Sequence, residues 1–283
     1  MRVLIAGAGW LGSAVARALA ARGDEVVAVR RSAGRLRELE GPGIAGLPLD
    51  LGEPGAPDRL PDADAVVACQ SASGDGAGPY RRAYLDVNRA LLRRYRGAGL
   101  RALVYTGSTG VFGQRDGGDV DEETPPAPAG PAAEVLVEAE RVLLEAAGAG
   151  APACVLRLSG IYGPGRAWPV ERVRAGALGL GPGDGAWMNL CHLDDAVAAV
   201  LAALDRGRPG RVYHASDAHP PRRRELVAWV AERLGISPPA AARAYDGADR
   251  RIRAERSRAE LGLALAFPSF REGVESLLAG ERG

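Results

Sequence analysis

The sequence predicts an α/β protein, a doubly wound parallel sheet with a smaller C-terminal lobe, and three observations carry that prediction. Short apolar runs alternate with longer amphipathic stretches from the N-terminus onward, the pattern of repeated strand–helix–strand units. Runs such as Val3-Leu4-Ile5-Ala6 and Val26-Val27-Ala28-Val29 are continuously apolar, as strands covered by helices on both faces must be. From Gly160 to Gly185 glycine and proline dominate and the alternation fades, which marks the passage into a second lobe.

In chain order, the first strand, Val3 to Ala6, runs into Gly7-Ala8-Gly9-Trp10-Leu11-Gly12, and an Ala/Leu-rich amphipathic helix follows from Ser13 to Arg22. Further strands are expected near Val26–Val29, Leu47–Leu49, Ala65–Cys69, Ala102–Thr106 and Cys154–Leu158, with helices near Arg35–Glu40, Pro79–Arg96 and Ala132–Ala147 as crossovers. Thr124 to Pro131 is a proline-rich loop, and past Arg211 the chain reads as a strand, Val212–His214, and then helices. This organisation places a nucleotide-binding Rossmann domain at residues 1–160, with 190–205 returning to it, and a substrate-binding lobe at 161–283.

The glycine turn carries the chemistry. Between a strand and a helix, the first glycine makes the tight turn, the second lets backbone N–H groups approach a pyrophosphate, and the third lets the helix pack on the strand. The anion then sits at the positive end of the helix dipole. Gly7, Gly9, Trp10, Leu11 and Gly12 are therefore candidate cofactor-binding residues. An NAD-selective site places Asp or Glu at the end of the second strand, but here Arg30-Arg31-Ser32 follows Val29. Two guanidinium groups can bind a 2′-phosphate bidentately, so NADP is the favoured cofactor and NAD the alternative. The competing reading of the pair is a solvated turn on an arginine-rich surface.

Composition excludes several classes. The net charge is +1 and 47% of residues are apolar, so no global field points to nucleic acid or membrane. No apolar run reaches the roughly 18 residues of a membrane span, and the glycine strand at the N-terminus leaves no room for a signal peptide. Cys69, Cys154 and Cys191 are far apart and lack metal-ligand spacing, which predicts reduced thiols, no metal and a cytoplasmic location. Asp194-Asp195 reads as the N-cap of a helix, with His192 architectural. His214 and His219 have no companion ligands, and Arg222-Arg223-Arg224 reads as a helix start with a solvated basic face. All 36 basic residues are arginine; the chain contains no lysine.

The order of motifs resembles the extended short-chain dehydrogenase/reductase family, in its NAD-dependent epimerase/dehydratase branch. The landmarks run nearly end to end: the glycine turn, Asp50-Leu51, Asn88, Tyr105-Thr106-Gly107-Ser108-Thr109-Gly110-Val111-Phe112-Gly113, Glu122-Glu123-Thr124-Pro125, Arg157-Leu158-Ser159-Gly160-Ile161-Tyr162-Gly163-Pro164-Gly165 and His192-Leu193-Asp194-Asp195. The resemblance implies that Asp50 and Leu51 contact adenine and that Ser108 hydrogen-bonds a substrate oxygen. It also implies that Leu158, Ser159 and Gly160 lie beside the nicotinamide. Aligning Glu140 with the acidic residue that follows the family's Tyr-x-x-x-Lys puts Ala132 at the tyrosine position and Leu136 at the lysine position. The standard proton-transfer pair is absent, as in the atypical members of the family.

Any catalysis must then use other groups. Ser108 and Thr109 are the best-placed hydroxyls, able to orient a substrate or stabilise an oxyanion. Cys69, Gln70 and Ser71, at the end of the preceding strand, join the candidate cofactor-site residues, although Cys69 also reads as an ordinary buried residue. Tyr80 and Tyr84 open the next helix, and Tyr162 reads as structural within its Tyr-Gly-Pro-Gly turn. The apolar arc on Ala132–Ala147 is wider than one buried side requires, which, with the pairing mode of related proteins, suggests a homodimer. The leading functional expectation is an NAD(P)-dependent oxidoreductase or epimerase-like enzyme acting on a small polar or carbonyl-bearing substrate. A nucleotide-binding sensor without turnover and a redox-neutral lyase, isomerase or cyclase are the alternatives.

Overall fold

The computed structural model describes residues 1–74 and 76–281. The strands among them are β1 (Arg2–Ala6), β2 (Glu25–Arg30), β3 (Ile44–Pro48), β4 (Ala65–Ala68), β5 (Ala102–Ser108), β6 (Asp119–Val120), β7 (Ala153–Leu158), β8 (Gly160–Tyr162), β9 (Leu190–His192), β10 (Val212–Ala215) and β11 (Arg251–Ile252). The helices are α1 (Trp10–Ala21), α2 (Ala33–Arg37), α3 (Ala77–Tyr80), α4 (Val87–Arg94), α5 (Pro131–Gly148), α6 (Trp168–Arg174), α7 (Leu193–Arg206), α8 (Arg223–Leu234), α9 (Glu255–Leu261) and α10 (Phe270–Glu281). Seven strands form one parallel sheet in the order β10-β7-β5-β4-β1-β2-β3, and β6/β11 and β8/β9 make two small parallel pairs.

Side chains alternate across the sheet and feed two cores. Val3 and Ile5 of β1 point to one face, where Val15 and Leu19 of α1 and Ala199 and Val200 of α7 cover them. Leu4 and Ala6 point to the other, against Leu91 of α4 and Val135, Ala139 and Leu143 of α5. The central strands are therefore apolar on both faces, and their helices cannot all lie on one side. Tyr162 and Leu190 of the small β8/β9 pair, with Val170, Leu226, Val230, Phe270 and Val274, build a third core from α6, α8 and α10.

Several elements differ from the sequence expectation. The helix expected over Pro79–Arg96 is α3 and α4 joined by a π-helical stretch, Arg81–Asp86. Such widened turns are invisible to a 3.6-residue pattern. The second helix begins earlier, at Ala33, because the Ser32 hydroxyl accepts a hydrogen bond from the Arg35 amide and caps it. The cap of α7 is His192, whose Nδ1 accepts from the Asp194 amide at 3.3 Å. Asp194 and Asp195 instead occupy the first turn, where their charge favours the helix dipole. Asp195 there accepts from the Ala266 and Phe267 amides at 2.7 and 3.0 Å.

The Arg222–Arg224 run does more than face solvent. Arg222 stacks 3.6 Å from the centre of the Trp187 ring and donates to the Gly185 carbonyl, and Arg223 stacks on Tyr245. Much of the wide apolar arc of α5 packs within the chain: Leu136 meets Val111, Phe112, Val120 and Ile252, while Val137, Val142, Leu144 and Ala147 border the cores and are only partly buried. Arg81 and Arg89 both reach Glu138 at 3.0 Å and lay an ionic layer over the outside of α5.

Candidate functional site

The strand order reverses direction between β1 and β4, so their carboxyl ends diverge and open a crevice, the usual ligand position in such sheets. A cavity of about 460 Å³ lies there, lined by Gly7, Gly9, Arg30, Arg31, Ser32, Asp50, Leu51, Cys69, Gln70 and Ser71 among others. Ten residues from four loops, picked from sequence as cofactor-binding candidates, thus share one wall. Trp10, Leu11, Gly12, Leu158, Ser159 and Gly160 lie outside its lining.

The three glycines do three different jobs. Gly7 sits at φ +102, and a side chain there would meet the Gln70 backbone at 2.6 Å. A Cβ on Gly12 would come 2.3 Å from the Gly7 carbonyl oxygen, so only hydrogen lets α1 start against the turn. Gly9 has nothing within 4 Å of where its Cβ would be, and it faces the cavity. A side chain there would fill space rather than collide. Helix α1 has no side-chain cap and no acidic residue in its first turn, which leaves its first amides and positive dipole end uncompensated. That arrangement fits a pyrophosphate.

Around the rim, Arg30 donates to the Ala8 carbonyl at 3.1 Å and so braces the glycine turn itself. Arg31 donates to the Ser73 hydroxyl at 2.6 Å, stands 3.9 Å from the Asp50 carboxylate and is largely exposed. Inside, the Gln70 amide donates to Asn88 Oδ1 at 2.8 Å, and Asn88, fully buried, donates to the Ala139 carbonyl of α5. Gln70 Oε1 is buried without a partner. Burial pushes the Cys69 thiol up to about 12, so it is a neutral packing group and not a nucleophile. The sequence reading missed Arg82, Ala83 and Val87, which the π-helical stretch and α4 turn onto the same cavity. Only the helical spacing of Pro79, Ala83 and Val87 could have pointed to that face.

At the end of β5 the two candidate hydroxyls differ. Ser108 Oγ accepts from the Gly110 amide at 3.0 Å, which leaves its own proton free to donate. Thr109 is buried, and its hydroxyl donates to the Leu158 carbonyl at 3.4 Å. The Thr109 carbonyl accepts from Arg250 Nη2 at 2.8 Å. Leu136 is buried among apolar side chains next to this turn. Ser159 and Gly160 are fixed through their amides to Ala215 and Asn189, and the Trp10 indole donates to the Pro164 carbonyl at 3.0 Å, joining the start of α1 to the turn after β8. Tyr84 OH accepts from the Ala72 amide at 3.4 Å, with the Tyr80 ring 5.3 Å away. Tyr162 is fully buried, with its hydroxyl against Gly273.

A parallel sheet with a glycine turn, a crevice where its strand order reverses and an uncapped helix start defines a Rossmann-type nucleotide-binding protein. The model of the NAD dependent epimerase/dehydratase family matches residues 3–216, and the chain belongs to that family. It is 31% identical over 277 residues to Protein YeeZ of Escherichia coli K12, covering 94% of this chain and 96% of that protein. It is 30% identical to a 3-diazoavenalumate denitrifying reductase of a Streptomyces species, over 84% of this chain and 83% of the other. The solved structure of a Methylobacillus flagellatus protein described under the same family superposes with TM-score 0.81 at 31% identity, covering 100% of this chain and 99% of that one.

Proposed function

We propose that the chain is a nicotinamide-dependent oxidoreductase or epimerase-like enzyme acting on a small polar or carbonyl-bearing substrate, with NADP preferred over NAD. The observation that carries the proposal is the single cavity onto which Gly9, Arg30, Arg31, Asp50 and Gln70 all open. Its volume is within the several-hundred-Å³ range of small-molecule sites. The likeness to a reductase favours reduction as the direction. When bound, the nicotinamide supplies the hydride chemistry.

The chain's own residues divide the remaining work. The open face at Gly9 and the first amides of α1 hold the pyrophosphate. Arg30 and Arg31 stand where a 2′-phosphate would lie; Arg31, held by one serine and one long contact, is free to turn toward it. The Ser108 hydroxyl orients a substrate oxygen by hydrogen bonding, while Thr109 fixes the turn that presents it. The third core, built from α6, α8 and α10, serves as the lobe that caps the cleft. A symmetric pair of chains through α4 and α5 belongs to the same proposal, and sedimentation as a monomer at micromolar concentration would overturn that part.

Fluorescence titration with NADPH and NADH, followed by turnover against a panel of carbonyl compounds, tests the reading. Tighter binding of NADPH with oxidation by at least one compound is the expected result. Tight binding without turnover would make the chain a sensor, and no binding of either coenzyme would favour a redox-neutral use of the cleft.

A further inference from the structure

Arg250 is a cation without a counter-charge. Its Nη2 donates to the neutral Thr109 carbonyl at 2.8 Å, its Nε is buried without a partner, and no carboxylate among the described residues forms an ion pair with it. The arginines on either side of Trp187 are engaged elsewhere: Arg251 and Arg222 both stack on that ring, at 5.0 and 3.6 Å from its centre. The nearby acid, Asp249, is occupied by the Trp187 amide at 2.9 Å and faces Arg222 at 3.8 Å.

The placement is fixed from both sides. Asn189 Nδ2 donates to the Arg250 carbonyl at 2.9 Å, and Asn189 Oδ1 accepts from the Ile252 amide at 2.8 Å. One asparagine thus holds the strand start and aims the side chain at the carboxyl end of β5. A guanidinium stays charged in proteins, and a partly buried charge facing one neutral acceptor is under-compensated. Burial disfavours its charged form, opposed only in part by the Tyr245 phenol.

We infer that Arg250 receives an oxyanion carried by the substrate, a carboxylate or a phosphate, and so selects anionic substrates at the end of β5. The inference rests on the proposed reading of the cleft, because it takes the Ser108–Thr109 turn as the place where substrate lies. The Nη2 hydrogen bond to Thr109 fixes the plane of the guanidinium and leaves Nη1, which has no partner among the described residues, to meet the anion. The family's lysine position is filled by Leu136, and Arg157 beside the same strand end is committed to Glu140, so Arg250 is a cation at the turn that no carboxylate among the described residues engages.

Calorimetric titration of malonate and of inorganic phosphate into the protein, alone and saturated with NADP⁺, tests this, with R250Q, R250K and R222Q as variants. Wild type should bind at least one of the two anions. R250Q should weaken that binding by roughly tenfold or more, R250K should recover part of it, and R222Q should bind like wild type. Preference for malonate would identify a carboxylate and preference for phosphate a phosphate ester; either supports the inference. Equal binding by R250Q and wild type, or no binding of either anion by wild type, would overturn it. A thermal melt of R250Q matching wild type separates lost recognition from lost folding, and R250K supplies the same comparison if R250Q is unstable. NADP⁺ binding is read in its own titration, so failure of the coenzyme reading and failure of the Arg250 assignment are distinguishable.

Discussion

Glu140 of α5 and Arg157 of β7 form an ion pair with almost no solvent contact, two nitrogens of the guanidinium meeting the carboxylate at 2.8 to 3.1 Å. Arg157 also lies 4.9 Å over the Phe112 ring. The pair fastens the helix that follows the Ser108 turn to the strand that leads to Ser159. Replacing Glu140 by alanine leaves a buried cation unpaired, and a loss of about 3–5 kcal/mol in denaturant-derived stability is expected. A loss below about 1 kcal/mol would mean that Arg157 finds another partner or water.

Two glycine substitutions should separate folding from binding. Gly12→Ala puts a methyl group 2.3 Å from a backbone oxygen and should cost roughly 1–3 kcal/mol through displacement of α1. Gly9→Val has open space around its Cβ and extends into the cradle, so its melting should stay near wild type while coenzyme affinity falls. Retained affinity in Gly9→Val would place the pyrophosphate elsewhere.

Coenzyme choice is tested at the end of β2. Arg30→Asp should weaken NADPH binding far more than NADH binding, since a carboxylate repels a 2′-phosphate and can accept from ribose hydroxyls. Equal losses for both would assign Arg30 to bracing the Ala8 carbonyl alone.

Ser108→Ala should keep the fold, at the expense of one turn-capping hydrogen bond of about 1 kcal/mol. If the proposed reduction holds, turnover of an accepted carbonyl compound should drop by roughly a hundredfold, the usual scale for removing one oriented donor. Thr109→Val should instead act mainly on stability, because its hydroxyl is committed to Leu158.

His214 makes stability depend on pH. It is buried against Phe112, its Nδ1–H donates to the Arg253 carbonyl at 3.0 Å, and burial lowers its pKa from 6.5 to about 4. The unfolded chain therefore takes up a proton between pH 6.5 and 4 that the folded chain refuses. Its contribution is whole above pH 6.5 and falls away until about pH 4, by on the order of 3 kcal/mol. Chemical denaturation across that range should show the decline, and His214→Asn should flatten it.

The frame of the site was legible in sequence because continuous apolar runs and a glycine turn have few other uses. Gly7 and Arg30, read from the glycine turn and the second strand, line one cavity with Gln70, read from its strand end, and with Asp50, which the family resemblance supplied. What escaped was set by tertiary contacts. Arg82 reaches the cavity through a π-helical stretch that leaves the 3.6-residue pattern almost intact. Arg250 is one arginine among 36, and only its hydrogen bond to a residue 141 positions away distinguishes it. The His192 cap was hidden because an imidazole nitrogen takes the role usually given to a carboxylate or hydroxyl oxygen.

The Asp195 carboxylate sits in the first turn of a helix that lies on the main sheet, yet both its oxygens are taken up by amides near the C-terminus. A chain cut before Ala266 would lose both of those hydrogen bonds and uncover the carboxylate. The segment that leads into α10 is therefore fastened to a helix of the main sheet, and residues 1–265 should resist preparation as an independently stable fragment.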